Sequence, residues 1–166
     1  MSNLIYLSNV EEVSMADEWF KIANEEHFWM KWRFSVIQKM KKHLPAPSEP
    51  VLEIGCGNGI VINQMEKHMG YKIDGCDLNK YALDLAKKTN GDLMVYNIYD
   101  KDPKMTKKYS MVILLDVIEH IEDDVDFLKA ACAHLKPGGK VLVNVPAHNT
   151  LFSKYDEVAR IRMALL

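Results

Sequence analysis

The sequence predicts an α/β fold: a parallel sheet with helices on both faces, preceded by an N-terminal helical extension. Three observations predict it. From Val51 onward, short apolar runs alternate with helix-sized segments, an order that right-handed crossovers turn into a parallel sheet. Ser110–Leu115 (SMVILL) is apolar almost without interruption, as suits a strand buried on both faces. Val51–Ile60 reads VLEIGCGNGI, an apolar run that breaks into glycines at every second position. Such a loop lets a ligand approach the backbone and aims the amide-rich end of the next helix at it.

Taken in order, Met15–Leu44 predicts helix in two pieces broken near Asn24, ended by Pro45, Pro47 and Pro50. Its dense aromatics (Trp19, Phe20, Phe28, Trp29, Trp32, Phe34) recur mostly at spacings of three or four. They read either as a helix face packed on a core or as a lid or substrate wall. Val51–Ile54 is a strand and Ile60–His68 the helix opened by the glycine loop. Lys72–Cys76 and Asp92–Tyr96 are strands on either side of a helix over Lys80–Lys88. Ser110–Leu115 is the next strand, and Asp123–His134 an amphipathic helix stopped by Lys136-Pro137-Gly138-Gly139. Lys140–Val145 is the fifth strand. The chain divides into a helical cap (1–49), an α/β core (50–146) and a short C-terminal segment (147–166), all within one domain.

Composition narrows the function. A net charge of −2 creates no global attraction to nucleic acid or membrane, and the basic run Lys39, Lys41, Lys42, His43 reads as a solvated helix end. There is no signal-peptide pattern in Met1–Val10 and no apolar run near the ~20 residues that span a bilayer. Cys56, Cys76 and Cys132 are an odd number, widely spaced, and read as buried reduced thiols rather than a disulfide frame or metal site. The expectation is a cytoplasmic protein without metal.

In a parallel sheet of this kind, ligands lie beyond the carboxyl ends of the strands. Gly55–Gly59, Asp77, Asn97, Asp116 and Pro146 all follow strand ends and are expected to line one crevice. Asp77 stands 22 residues after Gly55, the distance of a carboxylate that takes a ribose diol. Nicotinamide dinucleotide would fit so far. Its fingerprint, however, is G-x-G-x-x-G, with two residues before the third glycine rather than one. Its pyrophosphate would also be repelled by an acid such as Glu53. Nor is there a G-x-x-x-x-G-K-[ST] phosphate loop. Glu53, Asp77 and Asp116 favour S-adenosylmethionine, which brings a sulfonium and an ammonium beside one carboxylate.

VLEIGCGNG, then GCDLN, YSMVILLDVIEHI and LKPGGKVLVNVP, together resemble the class I S-adenosylmethionine-dependent methyltransferases, in particular the type 11 and type 12 small-molecule group. The resemblance runs from Val51 to Pro146, with similar flanks in HFWMKWRF (His27–Phe34) and VPAHNTLFSKYDE (Val145–Glu157). It implies a Rossmann-like sheet that here lacks the usual last two strands. It also implies that Glu53, Gly55, Cys56, Gly57 and Gly59 hold the methionine moiety and that Asp77 binds the ribose. Leu78 would pack on adenine, Asn97 would accept from the adenine amino group, and Ile98 would offer its backbone N–H to the ring. Asp116 would stand near the methionine end. Relatives often carry an Asp near Asn97, and Asn97 lacks that charge.

In-line methyl transfer from an activated donor needs mainly alignment, with a general base when the acceptor is a hydroxyl or acidic carbon. His120 is the candidate base, or else a structural hydrogen-bonder at a helix start. Glu119 reads as a cap or cofactor-side acid. His148 reads as acceptor-facing or solvated. With few residues after Pro146, the strand KVLVNV is expected at a sheet edge, covered by Phe152–Leu166 or by a second copy in a homodimer. The expected partner is a small-molecule methyl acceptor. The alternatives are a cofactor-binding protein without turnover and an NAD-dependent oxidoreductase.

Overall fold

The computed structural model describes residues 4–10 and 17–145. Six strands form one sheet: β1 (Ile5–Tyr6), β2 (Val51–Ile54), β3 (Ile73–Asp77), β4 (Leu93–Val95), β5 (Tyr109–Leu115) and β6 (Leu135–Asn144). Their order is β1-β4-β3-β2-β5-β6 and every neighbouring pair is parallel. The helices are α1 (Asp17–Ile22), α2 (Phe28–Lys39), α3 (Ile60–Met69), α4 (Lys80–Asp84) and α5 (Asp124–Cys132).

Strand alternation sorts the core into two layers. Val51, Ile73, Leu93, Met111 and Ile113 pack beneath Phe34 and Ile37 of α2, Ile62 and Met65 of α3, and Leu83 of α4. On the other face, Leu52, Ile54, Cys76, Met94, Val112 and Leu114 meet Phe127, Ala130 and Ala131 of α5. Each fully buried side chain such as Leu52 or Ile113 contributes about 2 kcal/mol. The predicted parallel sheet with helices on both faces is therefore present.

The N-terminal helix breaks where the sequence indicated, and Asn24 is the reason. Its side chain accepts from the Glu26 N–H (2.9 Å) and donates to the Ile22 carbonyl (3.1 Å), offering the backbone an alternative to helix. His27 then caps α2 by accepting from the Trp29 N–H (3.3 Å).

Four features differ from expectation. The two-residue strand β1 was not foreseen, being too short to show a pattern. The helix expected over Lys80–Lys88 stops at Asp84, because the next residues carry no apolar stripe. Leu85 is exposed, and Glu66 of α3 takes the Asn90 and Gly91 N–H groups (2.9 and 3.2 Å), drawing the chain into a loop. Lys136–Gly139 does not separate α5 from the last strand but lies inside β6. Tyr109 pairs with Leu135 and Met111 with Lys140, so two steps on β5 face five on β6, a bulge. It is pinned by the Lys136–Glu49 ion pair, Glu49 also accepting from the Ser110 hydroxyl (2.5 Å). Finally, Cys56 and Cys76 are buried but Cys132 is exposed, because it follows the sheet-facing pair Ala130 and Ala131 on α5. All three thiols are free. Among the described residues, no helix is long and apolar enough to cross a membrane.

Candidate functional site

From β2 the chain moves outward to β3 and β4, then returns to the other side of β2 with β5. The order reverses between β2 and β5, so the crevice beyond those two carboxyl ends is the natural ligand site. The loop after β2 carries positive φ at Gly55, Gly57 and Gly59 (72°, 53° and 70°). A Cβ on Gly55 would fall 2.4 Å from Val117 Cγ2, so the loops after β2 and β5 touch only because residue 55 has no side chain. The Gly55 and Cys56 N–H groups donate to the Cys76 carbonyl (2.8 and 3.1 Å), binding the loop to β3. Phe20 of α1 lies against Gly57 and roofs the loop.

Asp77 closes β3 beside this loop. Its Oδ2 accepts from the Gly57 N–H (2.7 Å) and its Oδ1 from the Asn79 N–H (2.8 Å). Each oxygen keeps lone-pair capacity for a hydroxyl donor. Burial pushes this carboxyl above its usual range, and the backbone donors of Asn79, Gly57 and Leu78 oppose the shift.

Glu53 projects from β2 toward the α2 side and is only 3% exposed. Burial pushes its carboxyl up to about 8, with Arg33 working against the shift and Asp77 adding to it. Among the described residues, its Oε2 is buried without a hydrogen-bond partner, and so is Nε of Arg33.

Asp116 follows β5 with φ 55°, a left-handed conformation that costs a non-glycine residue energy and is found at functional sites. Four contacts hold it. Arg33 forms an ion pair with Oδ2 at 2.9 Å, and Trp29 Nε1 donates to the same oxygen at 3.2 Å. Asn144 Nδ2 donates to Oδ1 at 2.6 Å, and the Asp116 N–H donates to the Asn144 carbonyl at 3.0 Å. Of the three carboxylates expected to face the cofactor, Asp116 thus carries an ion pair with Arg33.

The remaining expected residues fall as follows. Leu78 is half-buried beside Asp77. Asn97 uses its amide oxygen to cap the turn over Ile98–Asp100, accepting from the Tyr99 N–H (3.1 Å), and its own N–H donates to the Ser8 hydroxyl (2.8 Å). The Ile98 side chain is buried in the α5 layer, and burial holds the Cys56 thiol protonated. His120 ends the turn Ile118–His120, half-buried, with Nδ1 enclosed and without a partner among the described residues. Glu119 beside it is buried and its Oε2 also has no partner. Burial pushes the Glu119 carboxyl up to about 7; its own backbone N–H opposes this, Asp116 adds to it and Arg33 opposes it. Pro146 and His148 lie outside the described residues.

Sequence reasoning missed Arg33 and Asn144, and took Trp29 only as one of the helix aromatics rather than as a donor to Asp116. One signal was available for Arg33: it shares the stripe of Met30, Phe34 and Ile37 on α2. A charge within a buried stripe requires a partner.

A family model described as a methyltransferase domain matches residues 23–165. A ubiquinone biosynthesis O-methyltransferase of Vibrio vulnificus is 30% identical over 105 residues, covering 60% of this chain and 44% of the relative. The chain spans about half the length of the curated relatives it matches. Among solved structures, a Pyrococcus horikoshii protein superimposes with a TM-score of 0.67 at 20% identity, covering 84% of this chain and 66% of that one. Phosphoethanolamine N-methyltransferase 2 of Haemonchus contortus, in complex with phosphomonomethylethanolamine and S-adenosylhomocysteine, gives 0.65 at 24% identity. It covers 81% of this chain and 34% of its own. Matched over most of its length by that family model, the chain belongs to the methyltransferase-domain family, whose members use S-adenosylmethionine.

Proposed function

We propose that this chain binds S-adenosylmethionine in the crevice after β2, β3 and β5 and transfers its methyl group to a small molecule. The observation that carries the reading is two buried groups that lack a hydrogen-bond partner among the described residues, Glu53 Oε2 and Arg33 Nε, with a glycine loop following Glu53 and held by Asp77. An amino-acid moiety fits that pair: the carboxyl of Glu53 suits an ammonium, and the guanidinium of Arg33 suits a carboxylate. A pyrophosphate would place its negative charge over Glu53. Asp77 would take the ribose hydroxyls through its open lone pairs, with Leu78, Asn97 and Ile98 beside the base.

When bound, the sulfonium supplies an activated methyl carbon to a nucleophile in line with its carbon–sulfur bond. The chain contributes position and proton handling. Asp116, locked by Arg33, Trp29 and Asn144, fixes the end of β5 where the acceptor approaches. His120, half-buried in the turn after β5, is the candidate proton acceptor, and Glu119 stands beside it with a carboxyl that burial pushes up to about 7. A small-molecule acceptor is supported by the relatives, one named for O-methylation and one for N-methylation. The free thiols agree with a reducing, cytoplasmic setting. A homodimer that buries the β6 edge is part of the same proposal. Val143 is 42% exposed on that outer strand, while the alternative cover, Phe152–Leu166, lies outside the described residues. Light scattering that finds only monomer removes the dimer.

Calorimetry with S-adenosylhomocysteine and with NAD tests the cofactor. Tight binding of the first with release of a proton near pH 7, as Glu53 ionises against the ammonium, is the expected result. Binding of NAD alone would overturn the reading in favour of an oxidoreductase.

A further inference from the structure

We propose that the stacked indoles of Trp29 and Trp32, on the face of α2 beside Asp116, form the wall against which a flat aromatic methyl acceptor is held. The inference rests on the methyltransferase reading and names the class of its second substrate. Core packing explains Met30, Phe34 and Ile37, which are buried, but not the outer aromatics. Trp32 is 53% exposed and Phe28, one turn earlier, 74%.

Trp32 lies with its ring centroid 5.2 Å from that of Trp29, the planes inclined by 27°. The pair is an offset stack of the kind aromatic rings prefer, with Trp32 reaching solvent. A third flat ring extends such a stack without rearranging it. The stack is also anchored to the chemistry. Trp29 donates through Nε1 to Asp116 Oδ2 at 3.2 Å, and the backbone of Asp116 is fixed by Asn144. A ring seated on the wall is therefore held beside the end of β5, where the methyl acceptor must approach. The neighbouring cations are already paired, Lys31 with Glu26 at 2.5 Å and Arg33 with Asp116 at 2.9 Å. The wall thus offers planarity and polarisable surface, which suit a flat aromatic ring.

The test uses the whole chain saturated with S-adenosylhomocysteine and two probes of one skeleton, 2-naphthol and its saturated counterpart decahydro-2-naphthol. Binding is followed by calorimetry and by the indole N–H resonances. The aromatic probe should bind more tightly and shift the Trp29 and Trp32 resonances. Trp32→Ala should weaken it by about tenfold, Trp32→Phe should retain most of the affinity, and both variants should keep wild-type affinity for S-adenosylhomocysteine. Equal affinity for the two probes, or aromatic binding unchanged in Trp32→Ala, overturns the proposal. So does loss of adhesion to phosphatidylglycerol vesicles in Trp32→Ala with 2-naphthol binding intact, which would make this face a lipid-docking surface. Failure of S-adenosylhomocysteine to bind wild-type protein would count against the cofactor reading alone, because the probes report on the wall separately.

Discussion

Glu53 sits on β2 between Gly75 and Ile113 of the flanking strands, and there its carboxyl stays protonated up to about pH 8. In the unfolded chain the same group ionises near 4.5. Between those values the folded state holds the extra proton, so its stabilising contribution is complete below about 4.5 and is lost as pH rises through 8. Glu119, pushed up to about 7, acts in the same direction. Chemical denaturation of ligand-free protein should show stability falling across this window, with a slope of up to ~1.4 kcal/mol per pH unit from one such group. Glu53→Gln should flatten its share, and an unchanged slope would remove the assignment. At Asp77 the expectation concerns binding. Asp77→Ala should weaken S-adenosylhomocysteine by about 1.5–3 kcal/mol, the value of a charged hydrogen bond, and calorimetry reads it directly. Glu53, the glycines and Asp77 were legible because each sits at a strand end in an ordered pattern. Arg33 was not, since its partner Asp116 lies 83 positions away and only folding brings them together.

The loop before β4 is set by close approach between elements. A Cβ on Gly91 would lie 1.9 Å from the Ile73 carbonyl oxygen, and backbone atoms cannot move aside as a flexible side chain can. Gly91→Ala should cost about 3 kcal/mol, visible as a lowered melting temperature; a neutral result would mean that the loop relaxes freely. The junction of α5 and β6 depends on a buried polar chain. His134 Nε2 pairs with the Tyr96 hydroxyl at 2.8 Å, and His134 Nδ1 with the Ala130 carbonyl at 2.8 Å. The Tyr96 hydroxyl also accepts from the Asp102 N–H at 2.9 Å. With that N–H on its lone pair, Tyr96 donates its proton to Nε2, and Nδ1 carries the ring proton. Burial lowers the His134 pKa. The unfolded state therefore takes up the proton first, and this stabilisation, present above pH 6.5, is lost as pH falls. Tyr96→Phe should cost about 1–3 kcal/mol and weaken that acid-side loss, measured by denaturation at pH 5 and pH 8. Helix and strand identities were legible from periodicity. The early end of α4 and the bulge in β6 were not, because Glu66 and Glu49 act on them from distant positions in the chain.

Across the whole molecule, the two halves of the sheet meet at the β2–β5 boundary, and the site is built from that meeting. Asp116 joins three elements there: β5 that carries it, β6 through Asn144, and α2 through Arg33 and Trp29. The aromatics of the N-terminal helices part company in the fold. Phe34 belongs to the core while Phe20 covers the glycine loop. Alternating apolar runs, the glycine loop and the spacing to Asp77 by themselves determined a parallel α/β sheet and pointed to a nucleoside-type cofactor. Those features are local, and strand period and backbone freedom express them wherever the chain is read. Only the tertiary structure decided that Asp116 is paired, that Glu53 stays protonated and that Trp29 is tethered at the mouth of the crevice. Charge state and orientation depend on burial and on partners that lie far apart in the chain until the sheet closes.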